Sequence, residues 1–310
     1  MRTSLFVLCL AGCAGPLVPD AGAFDAAVLD DAGVSTEVPA LLFERIEPDG
    51  GVWFARRFAD GGVSERLPGP LHGQRPVVSP DRATILFSAP DPADQLGTPV
   101  VWSLQLPSGT PTRLSGSIQA VELEPTFSPD GTEVLFMSQG DDPRGDIVRA
   151  SFRDGGLVDL TNLTPSTQSI PDRTPAWSPD GQRIVFTSYR AGSPSLWVMN
   201  RDGSNPTQLT QGGNFGDFSP SWSPHGHTIA FHRVSGTGSQ VGLVSLDGGA
   251  PRFFDLPGRL YDARFSPDGE RLAAWGRFDD GTVEDLALLT LDGGLTRVHT
   301  GGQERHPTWW

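Results

Sequence analysis

Short apolar segments recur along the chain, and each follows a turn motif of the form Ser-Pro-Asp-Gly. The segments are rich in β-branched and aromatic residues, which favour strands. In the turn motif, Pro presets the φ angle, Asp caps the turn locally and Gly accepts a positive φ. The pattern therefore predicts a series of antiparallel hairpins. Their second strands are predicted at residues 85–87, 134–136, 184–186, 229–231 and 272–275.

The turn motif repeats at a nearly regular interval, which is the signature of a repeat architecture. Its five serines are Ser79, Ser128, Ser178, Ser223 and Ser266. The spacings of 49, 50, 45 and 43 residues each accommodate four short strands. Third strands are predicted at 196–199 and 241–244, and a fourth at 207–210. The repeating unit is therefore a four-stranded blade.

The two ends of the chain complete each other. Residues 306–309 match the segment that precedes each turn, while 41–43 match a second strand that lacks its first, followed by strands at 52–55 and 63–67. One blade is therefore shared between the termini. The predicted fold is all-β, a six-bladed β-propeller over residues 41–310 that averages 45 residues a blade and whose first blade is closed by the C-terminal strand.

The N-terminal residues are typical of an exported lipoprotein. Residues 1–12 contain Arg2 and a short apolar run, as in a signal peptide. Cys13 ends a sequence that resembles the bacterial lipobox, so it is the predicted lipidation site. Residues 13–38, rich in Ala, Asp, Gly and Pro, are a predicted flexible tether, and 39–310 form the propeller. Ala14 predicts anchoring in the outer membrane, facing the periplasm.

The amino-acid composition and net charge exclude some classes of partner and mechanism. The net charge is -14, and none of the 23 basic residues is Lys, so nucleic acid is an unfavourable partner and lysine-based catalysis is excluded. Once Cys9 is lost with the signal peptide, no disulfide can form within the mature chain. We expect a monomer without cofactors that touches the membrane only through its lipid anchor.

The repeated motif resembles PD40, the WD40-like repeat found in the propeller of TolB, a periplasmic component of the Tol-Pal envelope system, and in propellers attached to serine peptidases. The resemblance covers about 270 residues, and two copies depart from it, with His225 replacing Asp and Arg82 replacing Gly. It implies a propeller whose funnel is a protein-docking surface.

Charged residues just before the predicted inner strands are expected to gather at one mouth of the central channel. Most are acidic, which favours a cationic or mixed-charge peptide or envelope protein as partner. The alternative is that these charges only pair with one another around a wet channel. The predicted partner-binding residues are Arg75, Glu122, Glu124, Asp172, Arg173, Asp217, Tyr261, Asp262, Glu304, Arg305 and His306.

The sequence was also searched for catalytic and metal-binding motifs. The familiar nucleophile, zinc and phosphate motifs are missing, so no catalytic residue is assigned. The alternative function is a glycan lyase or hydrolase that uses His306 with Asp262 or Glu304 as acid and base. Acidic loops at 89–94, 140–144 and 278–281 suggest calcium, but they lack the spacing of a calcium loop and are interpreted as solvated turns.

Two further sets of residues are given structural roles. His225 and His227 are interpreted as exposed turn residues rather than a metal pair. Aromatic residues recur at one position of the repeat and on third strands, and we expect them to pack within and between blades, each stabilising the fold by roughly 2–3 kcal/mol. They are Phe127, Trp177, Trp222, Phe265 and Trp309, with Trp53, Trp102 and Trp197 on the third strands.

Overall fold

A computed structural model describes residues 40–47, 51–58, 65–67, 72–114, 120–165, 170–278, 284–299 and 303–310. The predicted signal peptide, Cys13 and the tether lie outside the described residues, as does most of the loop at 278–281. Within the described part of the chain, no helix is long and apolar enough to span a membrane.

The described residues form 24 strands in six four-stranded sheets, which confirms the predicted all-β propeller. The strands are β1 (Ala40–Ile46), β2 (Val52–Phe58), β3 (Glu65–Arg66), β4 (Gln74–Val78), β5 (Thr84–Pro90), β6 (Pro99–Gln105), β7 (Thr112–Arg113), β8 (Glu122–Phe127), β9 (Glu133–Ser138), β10 (Asp146–Arg153), β11 (Gly156–Asn162), β12 (Asp172–Trp177), β13 (Arg183–Ser188), β14 (Ser195–Asn200), β15 (Thr207–Gln208), β16 (Phe215–Trp222), β17 (Thr228–Ser235), β18 (Gly238–Ser245), β19 (Arg252–Phe253), β20 (Arg259–Phe265), β21 (Arg271–Arg277), β22 (Glu284–Thr290), β23 (Leu295–Val298) and β24 (Gln303–Trp309).

The ring closes as predicted. Blade 1 has the strand order β24-β1-β2-β3, so the last strand is its inner strand, and Trp309 pairs with Leu41. Blades 2 to 6 follow in chain order as β4–β7, β8–β11, β12–β15, β16–β19 and β20–β23. All strand pairs are antiparallel, and the inner strands are β24, β4, β8, β12, β16 and β20.

Side-chain hydrogen bonds explain the turn motif. The Ser128 hydroxyl donates to Asp130 at 2.6 Å and accepts from the backbone N–H of Glu133, while Asp130 accepts from the N–H of Thr132. The same network recurs at the turns beginning with Ser79, Ser178 and Ser266. Each turn thus satisfies its own backbone donors. The face of the propeller that carries these turns is called the turn face below.

The hydrophobic core is divided among the six contacts between blades. Each contact holds one cluster of buried residues, and the recurring aromatic residue of one blade packs against the preceding blade. Trp222, for example, packs with Val185 and Leu196 and donates from Nε1 to the carbonyl of Ala176 at 3.1 Å. These contacts confirm the predicted packing role of the recurring aromatic residues.

The turns after β4 and β16 are the two that depart from the repeated motif. His225 and His227 are exposed in and beside the turn after β16, as predicted. Arg82 stands where other turns have Gly and adopts a φ of 59°, a conformation that costs an L-residue about 1–2 kcal/mol.

Candidate functional site

Every inner strand carries a β-bulge at its middle. The pairing between inner and second strand is irregular in all six blades, and each irregularity contains a non-glycine residue with a positive φ between 48° and 62°. Such bulges redirect side chains and often mark functional sites. We call these six residues the channel ring; they are Arg75, Glu124, Thr174, Ser219, Asp262 and His306.

Proline accounts for most of these bulges. Five of the six ring residues precede a Pro, which has no N–H to donate to a neighbouring strand; only Asp262 is followed by another residue, Ala263. The N–H groups of three ring residues donate to adjacent blades instead. Thr174 donates to Glu124 Oε2 at 2.6 Å, Asp262 donates to His232 Nδ1 at 3.3 Å, and Arg75 donates to Glu44.

Charged members of the channel ring contact one another across the axis. Arg75 lies 3.9 Å from Glu124 and 3.6 Å from Asp262. Arg75 belongs to blade 2 and Asp262 to blade 6, so their contact bridges blades that are not neighbours. His306 lies between two carboxylates, with Nδ1 at 2.6 Å from Glu44 and Nε2 at 3.4 Å from Asp262. The ring is therefore a connected charged layer.

Burial and charge pull the pKa values of this layer in opposite directions. Burial raises the pKa of Asp262, but Arg75 and His306 outweigh it and hold that pKa well below its usual range. For Arg75, burial acts to lower the pKa, and the attraction of Asp262, Glu124 and Glu44 raises it overall. Burial lowers the pKa of His232 to about 4, with partial opposition from Asp262. At neutral pH, Asp262 and Arg75 are charged and His232 is neutral.

A cavity of about 440 Å³ lies between the channel ring and the turn face. Its lining residues on each inner strand lie at or after the ring residue, and Pro80 and Arg82 of a turn line its rim. Two positions after the ring residue, each inner strand contributes one residue to the cavity wall. We call these residues the wall ring; they are Val77, Thr126, Ala176, Ser221, Arg264 and Thr308.

Four of the predicted partner-binding residues lie elsewhere. They are buried, 0–3% exposed, two positions before the ring residue of their strand, and none lines the cavity. Asp217 is held by two hydrogen bonds from Arg233, at 2.6 and 2.8 Å, and Asp172 by Arg190 at 2.7 Å. We call this set the strand-start carboxylates; they are Glu122, Asp172, Asp217 and Glu304.

The predicted mouth therefore separates into different environments. Arg75, Glu124, Asp262 and His306 are brought together in the channel ring. Arg173, Tyr261 and Arg305 each immediately precede a ring residue and do not line the cavity. Arg305 pairs with Glu284, and Tyr261 packs against His232 and Trp275. The inner strands also begin earlier than predicted, because the residues expected before them are part of them.

Sequence reasoning missed Glu44, His232 and Arg264. A recurring signal was available for the ring itself, since a charged or hydroxyl residue directly before Pro occurs at the same place in five repeats. Glu44 and His232 lie on second strands, whose other buried residues are apolar, and no motif marks them.

The acidic loops at 89–94 and 140–144 contain turns, but two of their carboxylates are buried rather than solvated. Asp91 and Asp142 are each 3% exposed. Asp91 accepts the N–H of Ala93 and pairs with Arg113 at 2.9 Å, while Asp142 accepts the N–H of Arg144 at 2.8 Å. The carboxylates therefore cap their loops, as Asp does in other turns.

One group of described residues has the composition of a metal site. Asp285, His299 and Glu304 place one ligand atom each within 4.8 Å of one another at the contact between blades 6 and 1. His299 Nδ1 already lies 2.6 Å from Asp285, and Arg297 contacts the other oxygen of that carboxylate. Both oxygens of Asp285 already have partners, and the absence of a metal there stays our prediction.

Comparison with known proteins identifies the repeat. Residues 166–310 match the family model described as PD40, TolB beta propeller domain. A 113-residue stretch is 39% identical to dipeptidyl-peptidase 5 of Porphyromonas gingivalis, covering 36% of this chain and 16% of that protein. A 94-residue stretch is 33% identical to the Tol-Pal system protein TolB of Anaeromyxobacter dehalogenans, covering 30% of this chain and 20% of TolB. The matched stretches thus span a fifth or less of these two relatives.

Solved structures share the fold across nearly the whole chain. TolB from Acinetobacter baumannii matches with a TM-score of 0.73 and 20% identity, over 90% of this chain and 68% of TolB. Oligogalacturonate lyase from Vibrio parahaemolyticus matches with a TM-score of 0.55 and 10% identity, over 83% and 78%. Identities this low report the fold alone. Together with the repeat match over residues 166–310, they show that the chain has a β-propeller fold whose repeats are similar to the PD40 repeats of TolB.

Proposed function

We propose that this propeller is a cell-envelope binding module that takes up a peptide segment of a partner protein in its central channel. The observation that carries the proposal is the cavity, which is lined at one end by charged residues of the channel ring and at the other by residues of the turns. Its volume of about 440 Å³ lies within the range of about 300–1,000 Å³ that is usual for ligand sites. The TolB relatives belong to an envelope system and support this class of function.

The proposed contact residues are the channel-facing part of the sequence prediction, but the cavity lies on the side of the turn face, opposite the mouth that the sequence predicted. Arg75, Glu124, Asp262 and His306 form the base, where both charge signs are present and can orient a mixed-charge segment. The walls add Pro, Trp and small residues, which suit an extended peptide with few bulky side chains. The strand-start carboxylates have no part in this contact.

Filling the channel tests the proposal. Thr126→Trp and Thr308→Trp place large rings in the wall ring, and Thr207→Trp is the control on an exposed outer strand. Wild type and control, used as baits on envelope extract, should retain a common partner that the filled variants lose. If the filled variants, folded by circular dichroism, retain every partner, channel binding is wrong.

The proposal includes the export and anchoring of the chain. Residues 1–12 are the signal peptide, Cys13 is lipidated, residues 13–38 are the tether and 39–310 form the binding module, anchored as a monomer in the outer membrane. Cys13→Ser should abolish labelling by radioactive palmitate and release the protein from the membrane fraction. Labelling that persists in this variant would contradict the anchor.

An acid–base enzyme is the second candidate, and the contact between His306 and Asp262 favours it. Their separation of 3.4 Å permits proton transfer, whereas Glu304 is buried in a different place. Activity on a panel of polysaccharides that His306→Ala abolishes would support this candidate. Activity that is unchanged in the variant would exclude it.

A further inference from the structure

Arg264 differs from every other member of the wall ring. The other five positions hold Val, Thr, Ala, Ser and Thr, so Arg264 is the one charged side chain at this level of the cavity. It lies on β20, half-buried, above the channel ring and below the rim formed by the turns. A group entering from the turn face therefore meets this guanidinium before it reaches the base.

The Arg264 guanidinium has few partners for its five donors. Its one side-chain hydrogen bond goes from Nη1 to the carbonyl of Pro220 at 3.3 Å, and no carboxylate of the described residues pairs with it within 4.0 Å. Arg75, one level deeper, has two such carboxylates, Glu124 and Asp262. Arg75 is thus neutralised within the fold, and Arg264 is left available.

The pKa values of the two arginines agree with this difference. Burial lowers the pKa of Arg264 and repulsion from Arg75 adds to this, so the attraction of Asp262 and Glu124 is too weak to restore it. The same acidic groups, which are closer to Arg75, raise the pKa of that residue. An incoming anion would supply Arg264 with the compensation that the fold does not.

We infer that Arg264 binds a carboxylate of the partner peptide, so that the segment entering the channel is anionic at the point where it meets the wall ring. The inference rests on the proposed function and specifies the chemistry of the ligand. Arginine suits this role because its planar fork can donate two parallel hydrogen bonds to one carboxylate. The carboxylate is either an Asp or Glu side chain or the C-terminus of the partner.

Selection from peptide libraries distinguishes a side-chain carboxylate from a C-terminal carboxylate. Two phage libraries of random peptides are panned on the propeller, one with the peptide C-terminus fused and one with it free. Enrichment of Asp and Glu in the fused library indicates a side-chain carboxylate, and strong binding confined to free C-termini indicates the terminal carboxylate. Either result supports the inference.

Variants of Arg264 and of a control arginine test whether Arg264 causes the preference for acidic peptides. Arg264→Gln should lose the enrichment, Arg264→Lys should keep part of it, and Arg259→Gln should behave as wild type, because Arg259 is an exposed arginine on the same strand outside the cavity. For the best peptide, replacing the carboxylate by its amide should weaken binding to wild type by about tenfold or more and leave binding to Arg264→Gln unchanged. Fluorescence polarisation measures both.

The experiments distinguish a wrong role for Arg264 from a wrong proposal of peptide binding in the channel. If wild type and Arg264→Gln enrich the same peptides without acidic preference, and Thr126→Trp abolishes their binding, the channel binds peptides but the role of Arg264 is wrong. If no peptide is enriched, or if enriched peptides bind Thr126→Trp as well as wild type, peptide binding in the channel itself is wrong.

Discussion

The channel ring and the strand-start carboxylates lie on the same inner strands, only two residues apart, yet their surroundings differ. The strand-start carboxylates Asp172 and Asp217 each have a dedicated arginine from their own blade, and neither is exposed. The channel ring is joined across the axis and borders the cavity. Charge on an inner strand can therefore hold a blade together or face a ligand, and the bulge between the two positions decides which.

The strand β24 carries one member of each set, Glu304 and His306, and its removal should have the largest effect. Deleting residues 303–310 leaves β1 without its inner partner and removes Trp309 from the core between blades 6 and 1. We expect the cooperative thermal transition to disappear, a loss of more than about 5 kcal/mol. Circular dichroism melting measures it.

The deleted strand provides its own control. Adding a peptide of residues 303–310 to the truncated chain should restore protection from protease. A truncated chain that melts as sharply as the full chain would show that ring closure does not stabilise the propeller.

Breaking the ion pair between Asp217 and Arg233, which lies within blade 5, should destabilise the fold without changing the channel. Asp217→Asn leaves Arg233 buried without its carboxylate and should cost about 3–5 kcal/mol in urea unfolding. The exposed Asp247→Asn is the matched control and should cost little. The double variant Asp217→Asn with Arg233→Gln should recover part of the loss. A cost equal to that of Asp247→Asn would contradict the structural role of this set.

Acidification should weaken the layer around the channel through His232. Its pKa falls from 6.5 in the unfolded chain to about 4 in the folded one, so below pH 6.5 the unfolded state binds the extra proton. The free energy of unfolding should fall by about 1.4 kcal/mol for each pH unit between 6.5 and 4, about 3 kcal/mol in all. His232→Gln should flatten this part of the pH profile, and an unchanged slope would be evidence against it.

Protonation of Asp172 should change the free energy of unfolding in the opposite direction to protonation of His232. Burial raises the pKa of Asp172 despite hydrogen bonds from Ser188 and Arg190. As pH falls through this raised value, the folded state takes up the proton first, so this residue adds stability on acidification. The pH profile of Asp172→Asn should lack that gain. A variant profile parallel to that of wild type would place the titration elsewhere.

The smallest effect is expected at Arg264. Its guanidinium makes one long hydrogen bond and no ion pair in the described part of the chain, so Arg264→Gln should change the free energy of unfolding by less than about 1 kcal/mol. Urea unfolding beside Asp217→Asn measures the contrast. A loss as large as that of Asp217→Asn would mean that Arg264 supports the fold.

The fold was predictable because its signals are local and repeated. The Ser-Pro-Asp-Gly turn builds its own hydrogen bonds, and apolar strands follow it at a fixed distance, so blade number and ring closure followed from spacing. The site was less predictable. Because the prolines are unusual inside strands, the inner strands were predicted to begin after the ring residues. In addition, the side-chain direction reverses at every position of a strand and shifts at a bulge, so the residues that face the channel could not be assigned from spacing.

Residues that act across blades were the hardest to find. Glu44 is 262 positions from its partner His306, and nothing in the sequence signals their contact at 2.6 Å. Arg264 lies between apolar neighbours in a strand, so its place in the wall ring depends on the shift that the bulge at Asp262 introduces. The number of partners near each charge is visible only in the folded ring.

The central claim is that a peptide enters the channel from the turn face, and cross-linking tests it most directly. A photoreactive benzoylphenylalanine is placed at Thr308 in the wall ring or, as the comparison, at Arg259, at the start of β20 and outside the cavity. A peptide selected on the wild type should cross-link to position 308 and not to 259, and Thr126→Trp should abolish the product. Cross-linking to position 259 alone, or to 308 despite the filled channel, would contradict the account.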